Sequence, residues 1–313
     1  MRACVTGGAG FIGSHVVRLL VETGWDVVVL DNLYSGHRRN LEPYPQVRLI
    51  LGDVRHPAAI DRAFAGVDAV FHLAASVGNA RSIEHPIHDS DVNVLGTLQV
   101  LEGARRHGVR RLIFSSSAAV YGELRTLPIA EDHPTEPDTP YGASKLAAEK
   151  LCLAYAKVHG LQVVCLRYFN VYGTNQRYDP YGNVLPVFAR QVSLGEPLTV
   201  FGDGEQTRDL VNAQDVAQAN VKACLAEGVV GVYNIGSGRR VTINHLAALL
   251  TGLSSRQAMT RHGPPRSGDV RHSLADISAA RRDLQYVPSV GLERGLADYL
   301  SWLRKEMAAP CVS

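Results

Sequence analysis

Residues 1–32 read MRACVTGGAGFIGSHVVRLLVETGWDVVVLDN, and this stretch decides the fold. Arg2–Thr6 is a short, mostly apolar run of strand length, and Asp26–Leu30 is a second. Between them Phe11–Thr23 carries helical apolar spacing, and glycines at 7, 10 and 13 fill the turn from strand to helix. Each glycine has a separate physical job: Gly7 permits a tight turn, Gly10 lets backbone approach a pyrophosphate, and Gly13 allows close helix–strand packing. The helix N-terminus adds amide donors and a positive dipole end. Asp31 ends the second strand about 20 residues on, where an acid can hold an adenosine ribose diol. A carboxylate there repels a 2′-phosphate, so the spacing favours NAD over NADP. The bland alternative for Asp31 is a solvated acid at a strand end.

Working outward, the alternation continues. Val47–Leu51, Asp68–Leu73, Arg111–Ser115 and Gln162–Arg167 read as further buried strands, while Ala58–Ala65, Asp91–His107 and Pro140–His159 read as helices. This alternation specifies a Rossmann-type α/β fold, a doubly wound parallel sheet with helices on both faces. Around Pro140–His159 the end signals are clear: Thr139 can cap, Pro140 suits the first helical position and Gly160 follows the last turn. After about residue 170 the rhythm breaks into Gly-, Pro- and Asn-rich loops. We expect an NAD-binding domain over residues 1–170 and a smaller C-terminal α/β substrate lobe over residues 171–313, with the chain interleaved between the two.

Composition sets the outer bounds. The chain has 313 residues, 46% hydrophobic and 20% charged, with net charge +2, so neither nucleic acid nor membrane is expected as a partner. No apolar run reaches the roughly 18 residues of a membrane span, and no basic-then-apolar leader precedes the first motif. Cys4, Cys152, Cys165, Cys224 and Cys311 form no CxxC, which reads as free thiols in a reducing cytoplasm. The 12 histidines show no HExxH, so no metal is expected. His72 reads as a packed, hydrogen-bonded residue and Tyr168 and Phe169 as core beside a pocket.

Tyr141 and Lys145 are one helical turn apart and share a face. A phenol is a poor base at neutral pH, but an adjacent ammonium and a positive nicotinamide would favour the phenolate. Lys145 could also hold the nicotinamide ribose. A YxxxK spacing is common on amphipathic helices; Ser117, in the SSS run ending a predicted strand, strengthens it, because its hydroxyl could orient or relay a proton. Otherwise Ser117 is a polar strand terminus.

At this point the chain resembles the nucleotide-sugar 4-epimerases of the extended short-chain dehydrogenase/reductase family over essentially its full length. The matching blocks are GGAGFIGSH, the DN of Asp31-Asn32, the GD of Gly52-Asp53, HLAA, SSSAAVYG, YGASK, RYFNVYG, GDGEQTRD, NIGSG and GDVRHSLADIS. The resemblance implies an NAD site at Gly7, Gly10, Phe11, Ile12, Gly13, Asp31, Asn32, Asp53, Val54, Leu73, Ala74, Ala75, Tyr141 and Lys145. It implies proton handling by Ser117 and Tyr141. Nucleotide-sugar contacts are implied at Asn170, Asn183, Val184, Arg208, Arg266, Asp269 and Ser273, and Val77, Gly78, Asn79 and Arg81 are expected to line the sugar pocket. Guanidinium forks at Arg208 and Arg266 suit diphosphate oxygens, although each could instead be a surface Arg paired to an acid.

Related dehydratases carry an Asp-Glu pair just after the reactive hydroxyl and related decarboxylases a Glu; Ala118 and Ala119 stand there instead, which favours epimerisation. The competing readings are a dehydratase, reductase or decarboxylase on the same scaffold, or a cofactor-binding regulator without turnover. Retention of Ser117, Tyr141 and Lys145 argues against the last. Ser273 is small where a bulky aromatic would exclude 2-acetamido sugars, giving the order UDP-N-acetylglucosamine, UDP-glucose, UDP-glucuronic acid. The helices Asp91–His107 and Pro140–His159 resemble those that pair in family homodimers.

Overall fold

A computed structural model of the chain describes residues 1–179, 183–254, 256, 258–265 and 270–308. Seven strands build the main sheet: β1 (Arg2–Thr6), β2 (Asp26–Asp31), β3 (Arg48–Leu51), β4 (Ala69–His72), β5 (Arg111–Ser117), β6 (Gln162–Tyr168) and β7 (Gly231–Ile235). Their order is β7-β6-β5-β4-β1-β2-β3 and every pairing is parallel. Side chains alternate across the sheet, and both faces are covered, so both sets are apolar. Ala3, Val5, Val27, Val29, Phe71, Ile113, Val164 and Leu166 pack into one core layer. Cys4, Val28, Leu30, Val70, Leu112, Phe114, Val163 and Cys165 pack into the other. The chain leaves β1 toward β2 on one side and crosses toward β4 on the other. That reversal opens a crevice at the carboxyl ends of the strands.

Helices α1 (Phe11–Glu22), α2 (Pro57–Phe64), α3 (Gly96–Arg106), α4 (Pro140–His159) and α5 (Ala213–Leu225) flank the sheet. The α4 ends follow the signals in the sequence. Thr139 Oγ1 accepts from the Gly142 amide at 3.2 Å, Pro140 occupies the first turn, and Gly160 closes the helix at φ +69°. Asn212 caps α5 by accepting from the Gln214 amide at 2.9 Å.

One feature differs from the sequence expectation. The helix expected from Asp91 begins earlier and in pieces: Asn79–Glu84, Pro86–Ser90, then a wide π turn over Asp91–Leu95 leading into α3. The wide turn carries Asn93, whose buried carboxamide bonds the Ser76 backbone in both directions at 2.9 Å. β7 and α5 lie beyond residue 170 and belong to the sheet layers: β7 pairs with β6, and α5 packs on α1.

The remaining C-terminal segments form a separate apolar cluster from Tyr172, Leu185, Phe188, Leu198, Val200, Leu246, Leu250, Leu296, Tyr299 and Leu303. Short strand pairs, Asn170–Tyr172 with Leu210–Asn212 and Leu198–Phe201 with Thr260–Gly263, stiffen it.

Candidate active site

A cleft of about 1370 Å³ runs along the carboxyl edge of the sheet and reaches into the C-terminal segments. Its first half is built by the glycine turn. Gly7 sits at φ +71°, and a Cβ there would meet the Ala74 amide at 2.7 Å. A Cβ on Gly13 would lie 2.1 Å from the Gly7 carbonyl oxygen, so only glycine lets α1 approach β1 this closely. No side chain caps α1, which leaves its first-turn amides available to an anion. Gly10, Phe11, Ile12 and Gly13 all line the cleft there.

Asp31 is 7% exposed at the end of β2. Its two oxygens accept from the Ala9 amide at 2.9 Å and the Leu33 amide at 2.8 Å, so it also braces the glycine turn. Burial pushes its carboxyl above the usual range, and those two amides oppose the push. Asn32 donates to Asp53 at 2.9 Å. Asp53 also takes the fork of Arg55, at 2.9 Å through Nε and 2.8 Å through Nη2, and Arg55 Nη1 continues to Asp91 at 2.6 Å. The Arg55 guanidinium holds the Asp53 carboxyl well below the usual carboxylate range. Val54, Leu73, Ala74 and Ala75 complete this wall. An uncapped helix end facing a cradle without side chains, beside an acceptor-only carboxylate, fits a pyrophosphate and a ribose diol.

The second half of the cleft holds the chemistry-bearing side chains. Ser117 ends β5 and Tyr141 lies in the first turn of α4, and both side chains line the cleft. Ser117 Oγ also accepts from the Ala119 amide at 3.2 Å. Lys145, one turn on, is buried with Nζ 4.6 Å from the Phe114 ring centroid. Burial lowers the Lys145 ammonium to about 8, against the opposing influence of the Cys152, Asp89, Cys165 and Glu149 side chains. Burial raises Tyr141 to about 12, and the Ser117 hydroxyl pulls the other way. The protein's own groups thus leave Tyr141 a weak acid, and the acidifying influence expected from Lys145 is not among the causes acting on it.

Beneath this pair lies a buried ion pair that the sequence reading missed. Glu149, on α4, accepts from Arg167 at 3.0 and 2.6 Å and from Ser116 Oγ at 2.7 Å. Arg167 continues to the Tyr121 hydroxyl at 2.9 Å, which donates to Asn234 on β7 at 2.5 Å. His72 bonds Thr6 and Thr97 at 2.7 and 3.0 Å, and burial lowers it to about 3, so it is a neutral packed residue.

Val77, Gly78, Asn79, Asn170, Asn183, Val184, Arg208 and Ser273 all line the same cleft. Arg208 Nη1 donates to the Thr207 and Val270 carbonyls at 2.9 and 2.7 Å. Arg81 reaches across to Asp179 at 2.6 Å, joining the two sides of the opening. Arg266 and Asp269 lie outside the described residues. Thr199, Phe201, Leu185 and Phe188 also contribute walls that no motif announced, and Gln206 of the GDGEQTRD block lines the cleft as well. Among the described residues no cluster of His, Cys, Asp and Glu could hold a metal ion, and no helix is long and apolar enough to cross a membrane.

Known proteins agree with this geometry. The sequence model of the NAD dependent epimerase/dehydratase family matches residues 3–236. The structure is similar to the UDP-glucose 4-epimerase of Thermotoga maritima solved with UDP-glucose: TM-score 0.92, 38% identity, covering 98% of this chain and 100% of that one. It is equally similar to the UDP-N-acetylglucosamine 4-epimerase of Methanobrevibacter ruminantium solved with UDP-N-acetylmuramic acid: TM-score 0.92, 33% identity, covering 98% and 99%. A dTDP-glucose 4,6-dehydratase of Streptomyces venezuelae, solved with NAD, follows at TM-score 0.88 and 35% identity, covering 97% of each chain. With its glycine turn, its Asp31 and its Ser117, Tyr141 and Lys145 in one cleft, the chain belongs to the NAD-dependent epimerase/dehydratase family, and it is an enzyme whose cofactor is NAD.

Proposed function

We propose that this enzyme inverts C4 of a UDP-sugar through a transient 4-keto form. The observation that carries the reading is the gathering of Ser117, Tyr141 and Lys145 in one cleft, with the methyl side chains of Ala118 and Ala119 directly after Ser117. Bound NAD would supply the hydride acceptor at C4, and its positive ring would favour a phenolate at Tyr141. Gly7, Gly10, Gly13, Asp31, Asn32 and Asp53 would hold its adenosine half, and Lys145 its nicotinamide ribose. Tyr141 takes the proton of the 4-hydroxyl, directly or through Ser117, and returns it when the sugar has turned over. Asn170, Asn183, Val184 and Arg208 hold the nucleotide, so the sugar is left free to rotate. Arg266 and Asp269 join them in this reading. Ser273, small and at the cleft wall, leaves room for a 2-acetamido group, which places UDP-N-acetylglucosamine ahead of UDP-glucose and UDP-glucuronic acid.

A 4,6-dehydratase is the second reading, supported by the Streptomyces neighbour. It needs an acid and a base beside Ser117, where this chain has Ala118 and Ala119. One assay separates the two. Purified protein is given each of the three UDP-sugars and followed by proton NMR. The proposal expects inversion at C4 without loss of the 6-hydroxyl; conversion of none, or a 6-deoxy-4-keto product, overturns it.

We further infer that two copies pair through α3 and α4, in the cytoplasm. Leu95 and Val158, at the ends of these helices, are 54% and 71% exposed, and the described cysteines are free, buried thiols. Light scattering on a sizing column tests the pairing, and a monomer would exclude it.

A further inference from the structure

Behind the Tyr141–Lys145 face lies a carboxylate that the scheme above leaves unused. Asp89 belongs to the short helix Pro86–Ser90 and is 1% exposed. Ser144 Oγ lies 2.5 Å from its Oδ2, and Asn93 Nδ2 donates to its Oδ1 at 3.2 Å. Both neighbours can act as donors, which suits an acceptor-only carboxylate. Both are also neutral, so neither offsets a buried charge. Glu149, the other buried carboxylate near Lys145, is already matched by the Arg167 fork. Asp89 acts instead through space on Lys145, and also on Tyr141.

The contacts are mechanical as well. Ser144 precedes Lys145 in the chain, and its Oγ also lies 3.0 Å from the Tyr141 carbonyl oxygen. Asn93 bonds Ser144 at 3.0 Å and fixes the Ser76 backbone in the cleft wall. One cluster thus grips the first turn of α4 between the two reactive side chains.

We propose that Asp89 is a positioning residue for the reaction: it anchors the first turn of α4 through Ser144 and supplies the buried negative charge that balances the Lys145 ammonium. This rests on the reading of Tyr141 and Lys145 given above. The other titratable groups around Lys145 are Glu149 and Cys152 on α4, Cys165 on β6 and His72 on β4. His72 is neutral, Cys152 and Cys165 carry thiols and not carboxylates, and Glu149 is ion-paired, which leaves Asp89, among the described residues, as the carboxylate near Lys145 without a cation of its own.

The sign follows from Coulomb's law. An anion makes the ammonium keep its proton to higher pH, and makes the phenol hold its proton more tightly. Removing it moves both titrations toward lower pH. In Asp89→Asn, the bell-shaped kcat/KM profile is therefore expected to shift to lower pH at both limbs by about one pH unit, with activity lost most at alkaline pH. A purely structural role would scale the bell down without moving it. Ser144→Ala keeps the charge and cuts the link, so kcat is expected to fall several-fold with the limbs in place. If Asp89→Asn does not fold, Asp89→Glu serves, because it keeps the charge but displaces it; reduced kcat with unmoved limbs is expected. Unmoved limbs in Asp89→Asn, moved limbs in Asp89→Glu, or full kcat in Ser144→Ala overturn the proposal. Retained turnover in Tyr141→Phe would instead overturn the reading on which it rests.

Discussion

Ser117 at the end of β5 and Tyr141 at the start of α4 line the same cleft, and the Ser117 hydroxyl eases ionisation of the Tyr141 phenol. The two residues are distant in sequence, and the cap at Thr139 with Pro140 places the second against the first. Removing the phenol oxygen removes the proton acceptor while leaving the ring to pack. Tyr141→Phe is expected to lose about 100- to 10,000-fold in kcat, the usual worth of a positioned acid–base group. NAD should remain bound, as measured by the dinucleotide released on denaturation. Near-normal C4 inversion in this variant would remove Tyr141 from its role.

Burial lowers the Lys145 ammonium to about 8. Below that pH the amine is charged, and above it the charge is lost. A reaction that needs the ammonium should show kcat/KM falling as pH rises through about 8, the free-enzyme limb. Lys145→Arg keeps its charge at every accessible pH. Whatever activity it retains should lack this limb, and a limb of unchanged position in the Arg variant would assign it elsewhere.

Asp31 lines the cleft at the end of β2 and braces the glycine turn through the Ala9 and Leu33 amides, and the proposal above has it hold the adenosine half of NAD. Losing charge-assisted hydrogen bonds of about 1.5–3 kcal/mol predicts a roughly 10- to 100-fold weaker NAD Kd in Asp31→Ala. The preference against NADP should narrow at the same time, since nothing then repels a 2′-phosphate. Calorimetric titration with both dinucleotides checks this; an unchanged NAD/NADP ratio would contradict the assignment.

The Glu149–Arg167 pair is fully enclosed, with side chains 0% and 3% exposed. Removing one partner strands the other charge in the core. Glu149→Ala is expected to cost about 3–5 kcal/mol of stability, read as a lower urea midpoint. A midpoint equal to that of the unaltered protein would show that Arg167 finds water or another acceptor.

Much of this molecule could be read from its residues, for physical reasons. Parallel strands covered on both faces must be apolar throughout, so β1 to β6 stand out as solid runs. The α4 ends carry their own chemistry in Thr139, Pro140 and Gly160. Other features leave no local mark. In β7, GVYNI places polar Asn234 inside the barrier between layers, where it accepts from Tyr121, and no periodicity announces that. Asp89 in HDSDVN reads as an ordinary acid on a solvated turn; only the π turn that follows and the approach of Ser144 from a distant helix enclose it. Arg55 stands two residues from Asp53, yet its second partner, Asp91, comes from another segment. Such groups are defined by tertiary encounters, which short-range spacing does not encode.

The return of the chain to lay β7 beside β6 has a consequence for anyone dividing the protein. A fragment stopped near residue 170 would bare the full hydrogen-bonding edge of β6, VVCLRY included, along with the α1 surface that α5 covers. An unprotected apolar border of that kind recruits other chains. Truncation there should yield insoluble aggregates, not a free cofactor-binding half.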